Sequence, residues 1–214
     1  MSRGFSTLVF DLDGTLSDPS VGIARSLNHA LGTHGFPIVP EVLLAAEIGP
    51  PLDEIFGRLV PADAVDAIPA LVATYRERYA RLGFSENEVY PEIPAALERL
   101  AAVARLGVCT SKLASYSVKI LELFGIREHF SFVDGGDIGV KKSQQLAGLL
   151  GRGEIDGEAV MIGDRSVDIE AAHTNGLRSI GVLWGFGSAE EIASARPTHV
   201  AATVGELVRL VTPT

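Results

Sequence analysis

Five short apolar, β-branched runs recur along the chain, and each stops at a turn or a polar residue. They are STLVF (6–10), LGVCT (106–110), FVDGG (132–136), AVMIG (159–163) and RSIGVL (178–183). A sixth, THVAAT (198–203), reads as an edge strand. Runs that stay apolar instead of alternating fit strands buried on both faces, which is the condition of a parallel sheet. Between them lie helical patterns: 93–107 ends at Gly107, 115–126 has its stop at Gly125, and 166–176 ends in Asn175-Gly176. Strand alternating with helix predicts an α/β fold, a doubly wound parallel sheet of Rossmann-like type. Ligands bind such a sheet at the carboxyl ends of its strands.

One block breaks the alternation. From Ser17 to Glu88 there is no convincing strand, only helical patterns such as VGIARSLNHALGTHG and IPALVATYRERYARLG, punctuated by prolines. Some 70 residues is too long for one ordinary crossover, about 10–12 residues at its shortest. The expected organisation is therefore an α/β core from 1–16 and 89–214, with 17–88 inserted as a helical cap over the strand ends. The stretch NEVYPEIP (87–94), with two prolines, reads as the return hinge.

Composition narrows the partners. With 27 acidic and 18 basic residues the formal charge is −9, which argues against a nucleic-acid surface. A few local donors can still bind a small anion despite that field. The single cysteine, Cys109, precludes an intramolecular disulfide and sits inside an apolar run, where a packing role is expected. No run approaches the length needed to span a bilayer, and Asp11 interrupts the N-terminal apolar segment. The expectation is a cytoplasmic protein without membrane contact, acting as a monomer or homodimer.

The strand ends carry the chemistry. The first delivers Asp11 and Asp13, the second Thr110 and Ser111, and the fourth Asp164, with Asp168 four residues later. The loop after the third leads to Lys141 and Lys142. Singly, each has an ordinary explanation, since aspartates start turns and helices and lysine pairs face solvent. Together they gather acidic groups beside a hydroxyl and an ammonium at one rim. Carboxylates so crowded repel one another unless a cation lies between them. Hard oxygen ligands favour Mg²⁺, which takes one or two carboxylates and shares a phosphate oxygen.

DLDGTLSDP, CTSK and MIGDRSVDIEAA resemble, in order and separation, the first, second and fourth motifs of the haloacid dehalogenase-like hydrolases. EIGPPLDEIF, YRERYARLGFSENEVYPEIPAALERL and GVLWGFGSAEEI are similar to the cap, hinge and C-terminal portions of its phosphoglycolate phosphatase-like branch. The likeness runs from about Phe5 to Val200. It implies a phosphatase acting on a small-molecule phosphate ester through an aspartyl-phosphate. By resemblance Asp11 is the nucleophile and Asp13 the general acid, then base. Thr110 and the Ser111 amide would hold the phosphoryl group, and Lys142 would offset its charge. Asp11, the backbone carbonyl of Asp13 and Asp164 would surround the Mg²⁺ ion, with Asp168 binding a metal water or orienting the ligands.

The third motif is the least regular, GVKKSQQL lacking the proline that often follows the lysine. Counting toward a helix starting near Ser143 favours Lys142 and leaves Lys141 as the alternative. Lys112 is a candidate substrate contact, as is the loop containing Gly49 and Pro50. Arg25, Asn28 and Arg58 are unranked cap contacts, and the five histidines show no shared ligand spacing. Trp184 reads as a rim or packing residue. Asp13 argues against a dehalogenase, which has no leaving alcohol to protonate. The absence of lysine from 17–88 argues against a Schiff-base phosphonate hydrolase. A phosphomutase, or a binding protein that has lost the reaction, remains as an alternative.

Overall fold

The computed structural model describes residues 4–45, 47–48, 52–136 and 140–212. Six parallel strands form the main sheet: β1 (Thr7–Phe10), β4 (Arg105–Leu113), β5 (Phe132–Gly136), β6 (Val160–Gly163), β7 (Arg178–Val182) and β8 (His199–Ala201). Their order is β5-β4-β1-β6-β7-β8. The chain therefore winds outward from β1 in one direction, returns, and winds outward in the other. Such a doubly wound sheet has its switch point between β1 and β6, where the two neighbouring connections leave in opposite directions and open a crevice.

Each expected run supplies a strand, with shifts at the edges that have local causes. The second expected strand, 106–110, continues to Leu113 because Leu113 pairs with Gly136 beyond a bulge at Thr110. Polar TSK residues hide that extension from an apolar pattern. The helical pattern at 93–107 yields only α5 (Ile93–Ala101), since Arg105–Gly107 pair with β1. Two two-residue strands, β2 (Ser17–Asp18) and β3 (Glu88–Val89), pair where no strand is expected. Segments so short carry no readable period.

The remaining core helices are α6 (Ala114–Leu123), α7 (Lys142–Gly151), α8 (Ser166–Thr174), α9 (Ala189–Ala195) and α10 (Val204–Val211). Val9, Cys109 and Met161 point to one face of the sheet and pack with Leu146 and Leu149 of α7 and Ala171 and Ala172 of α8. Their neighbours Leu8, Phe10, Val108 and Ile162 are also fully buried, as strands covered on both sides require. Cys109 lies in this packing with its thiol pushed up to about 12 by burial, so it stays an uncharged core group.

The chain divides into two compact units, Met1–Asp18 with Val89–Thr214, and Pro19–Glu88. The second is helical: α1 (Ser20–Thr33), α2 (Glu41–Ala45), α3 (Leu52–Leu59) and α4 (Ile68–Arg81). Its own core joins Leu27 and Leu31 of α1, Leu44 of α2, Ile55 and Phe56 of α3, and Leu71 of α4. Tyr75 stacks on Tyr79 one turn along α4, with ring centroids 5.7 Å apart, and meets Phe56 edge-on. No helix among the described residues is long and apolar enough to cross a membrane.

A charged clasp closes this unit. Arg78 grips Glu86 with both guanidinium nitrogens, at 2.8 and 3.0 Å, and Arg25 adds a bond at 3.2 Å. The Arg78 fork, aided by Arg25, holds the Glu86 carboxyl below its ordinary value of 4.5. A depressed carboxyl stabilises the fold above its unfolded pKa and stops doing so as pH falls through the folded one. Glu86→Gln should thus lower stability at pH 7, by about 1 kcal/mol for a pair still open to solvent screening. Urea unfolding should show the gap closing as pH drops below 4.5. A gap independent of pH would contradict the clasp.

Candidate active site

The carboxyl ends of β1 and β6 face the crevice at the switch point, and the acidic residues sit there. Asp11 follows β1 directly, its amide donating to the Ile162 carbonyl at 2.9 Å and so pinning it beside β6. Asp164 follows β6, and Asp168 stands at the first turn of α8. One carboxylate oxygen from each of Asp11, Asp164 and Asp168 lies within 4.8 Å of the others. Asp164 and Asp168 are almost wholly buried.

Gly14 lets these groups close up. Its φ of +83° is a left-handed conformation, and a Cβ there would fall 2.2 Å from Asp164 Oδ2. Every other residue type would therefore be strained and would also displace the carboxylate.

Lysines tie down one oxygen each of Asp11, Asp13 and Asp168. Lys142, the first residue of α7, is buried and bonds Asp11 Oδ2 at 2.9 Å and Asp168 Oδ1. Gln144 fixes the start of that helix by accepting the Lys141 amide, and Lys141 itself is exposed. Burial opposes charge on Lys142, but Asp11 and Asp168 on either side outweigh it and hold the ammonium above the ordinary lysine range. Lys112 likewise bonds Asp13 Oδ2 at 2.8 Å. Burial raises the Asp13 carboxyl above its usual value, with Lys112 opposing.

The other oxygens have a different environment. Asp11 Oδ1 and Asp13 Oδ1 are buried without any hydrogen-bond partner. Each is an acceptor that a ligand or water would satisfy. Four carboxylates against two lysines also leave two negative charges unbalanced. Both facts fit a divalent cation held by hard oxygen donors. Burial, aided by the Asp11 charge, pushes the Asp164 carboxyl up to about 6.

The structure thus brings Asp11, Asp164 and Asp168 together, with Lys142 among them. Asp13 turns its carboxylate to Lys112 and stands outside that trio. Thr110 is buried at the bulge of β4, its hydroxyl accepting the Lys112 amide at 3.3 Å. Ser111 is exposed at the same bulge. Gly49 and Pro50 lie outside the described residues. Arg25 and Arg58 form ion pairs with acidic residues of their own helical unit, and Asn28 bonds the Val39 backbone on both sides.

Several contacts at the site have no local sequence signal. Thr15 donates its hydroxyl to Asp164 Oδ1 at 3.0 Å, and the Phe186 amide donates to Oδ2 at 2.9 Å. Gln145, one turn along from Lys142, donates to the Thr110 carbonyl at 3.1 Å and to Asp134 Oδ1 at 3.0 Å, tying α7 to the ends of β4 and β5. Asp168 Oδ2 accepts the Arg165 amide at 3.1 Å, so this residue starts α8 as well as binding Lys142. Gly185 and Gly187, like Gly14, are the sequence signal for backbone packed closely against Asp164.

Lys142→Met should leave Asp11 and Asp168 buried without their cation. The expected cost is about 3–5 kcal/mol, the scale for breaking a buried ion pair on one side. Urea unfolding with chelator present measures it, and a loss near zero would contradict the buried geometry.

Residues 8–182 match the sequence profile of the haloacid dehalogenase-like hydrolases. A 5'-nucleotidase of Pseudomonas aeruginosa is 36% identical, over 95% of this chain and 94% of its own length. A phosphoglycolate phosphatase of Yersinia pseudotuberculosis is 33% identical, over 94% and 90%. The solved structure of Mycobacterium tuberculosis protein tyrosine kinase A is similar with a TM-score of 0.83 and 32% identity, covering 99% of this chain and all of that one.

Proposed function

The chain belongs to the haloacid dehalogenase-like hydrolase family as one of its phosphatases, and from that premise we propose that it hydrolyses small phosphate monoesters through a covalent intermediate on Asp11, with Mg²⁺ as its metal ion. One observation carries the reading: Asp11 and Asp13 each have one oxygen bound to a lysine and the other buried with no partner. The tethered oxygen fixes the carboxylate, and the free one is left for a ligand.

In the proposed reaction a carboxylate oxygen of Asp11 attacks phosphorus, and the ester oxygen leaves. Asp13 gives that oxygen its proton. Water then attacks the aspartyl-phosphate, Asp13 takes the water's proton, and inorganic phosphate departs with Asp11 restored. Burial of Asp13 suits the first of these tasks, because it favours the protonated carboxyl. Lys142 offsets charge beside Asp11, and the Thr110 hydroxyl and Ser111 amide would hold the phosphoryl oxygens. Lys112 sits one residue further along and reaches the same rim through Asp13.

Asp11 and Asp164 would hold the ion, with Asp168 contacting it directly or through water. When bound it supplies positive charge that offsets repulsion between an anionic nucleophile and an anionic phosphate.

Nucleoside monophosphates, phosphoglycolate and sugar phosphates share the same reacting end. Assay against a panel of these with Mg²⁺, reading released phosphate, should find turnover that chelator abolishes. Stoichiometric inorganic phosphate is expected; phosphate retained on a sugar or passed to another acceptor would indicate a mutase or a kinase instead. Asp11→Asn should abolish turnover with the fold intact. Near-native hydrolysis by that variant would remove Asp11 as nucleophile. Asp13→Asn should slow hydrolysis by roughly 10²- to 10⁴-fold, the usual scale for a general acid–base group. Its loss should be smaller for good leaving groups than for poor ones, and equal losses would count against the acid role.

A further inference from the structure

Asp164 is held on one oxygen by a short loop and on the other by Thr15, which the same loop bonds. The Phe186 amide donates to its Oδ2 at 2.9 Å. The Trp184 indole N–H donates to the Thr15 carbonyl at 3.0 Å, and the Thr15 hydroxyl donates to Asp164 Oδ1 at 3.0 Å. Thr15 is fully buried, so its hydroxyl has no solvent alternative. The loop also presses on the carboxylate directly. A Cβ on Gly185 would lie 2.4 Å from Asp164 Cβ, and one on Gly187 would lie 1.9 Å from the Asp164 carbonyl. Residues 184–187 therefore pack on Asp164 with no space to spare.

We propose that Trp184 is a positioning residue for the metal-binding carboxylate, acting through Thr15, and that ion binding at Asp164 is reported by this indole. The inference rests on the reading that Asp164 helps to hold Mg²⁺. Each oxygen of Asp164 accepts one bond from the protein and keeps lone pairs for an ion. A ligand whose outer bonds are already made binds its ion without first being ordered, and loss of such a partner weakens the metal rather than the fold. Trp184 is the only tryptophan of the chain. Its ring forms one wall of an open cleft of about 340 Å³, shared with Tyr90, Pro91 and Val204. A partly solvated indole whose N–H is tied to Thr15 changes its emission when that carbonyl shifts.

Titration of the full chain with Mg²⁺ alone, followed both by calorimetry and by tryptophan emission, tests this. The wild type should show a heat of binding and an emission change that saturate at one dissociation constant. Asp164→Asn should lose both. Trp184→Phe keeps an aromatic body without the N–H, and should weaken calorimetric Mg²⁺ binding by roughly tenfold, the low end for an outer partner of a ligand. Thr15→Val should weaken binding similarly, and adding Trp184→Phe to it should cost little more, because the route between them is already cut. Absence of any Mg²⁺ heat in the wild type would overturn the metal reading, and this inference with it. Normal Mg²⁺ heat without an emission change would overturn the inference alone. So would Trp184→Phe with wild-type affinity, or losses that simply add in the double variant.

Discussion

The buried ammonium of Lys142 is the interaction on which the site depends. It lies between Asp11, at the end of β1, and Asp168, at the start of α8, and neither carboxylate could stay buried there without it. Its position follows from the winding of the sheet. The chain must travel from β5, at one edge, across β1 to β6, and α7 makes that crossing. The first residue of α7 therefore arrives over the switch point. Gln145 then locks the helix to Thr110 and Asp134, so the lysine cannot swing away from the strand ends.

Much of this was legible in the sequence, for identifiable reasons. Strands buried on both faces must be apolar throughout, and that made β1, β6 and β7 readable, while the edge strand β8 is largely exposed. Asp11, Asp13 and Asp164 stood out because each follows such a run, where a core residue would otherwise be expected. The choice between Lys141 and Lys142 depended on helix phase, and the amide of Lys141 is where Gln144 starts the helix. That leaves Lys142 as the residue turned inward.

The rest was hidden for equally physical reasons. Thr15, Gln145 and the Phe186 amide act across 149, 35 and 22 residues of chain, and nothing local distinguishes such a partner from its neighbours. Phe186 contributes only its backbone, so its side-chain type carries no signal at all. Lys112 draws the carboxylate of Asp13 aside, apart from those grouped around Asp164, and no local pattern announces that pairing. The bulge at Thr110 makes this possible, because it lets β4 continue in polar residues and brings Lys112 to the rim. A chain of net charge −9 can thus attend to an anionic substrate, with a few placed cations deciding the local field.

In the proposed reaction phosphorus becomes bonded to Asp11. The most direct measurement of this is an acid quench of the working enzyme during steady turnover, followed by hydroxylamine, which converts an acyl phosphate to a hydroxamate, and mass spectrometry of the peptides. A hydroxamate on Asp11 is expected, and only when substrate is present. Active turnover with an unmodified Asp11, or the adduct on another residue, would contradict it.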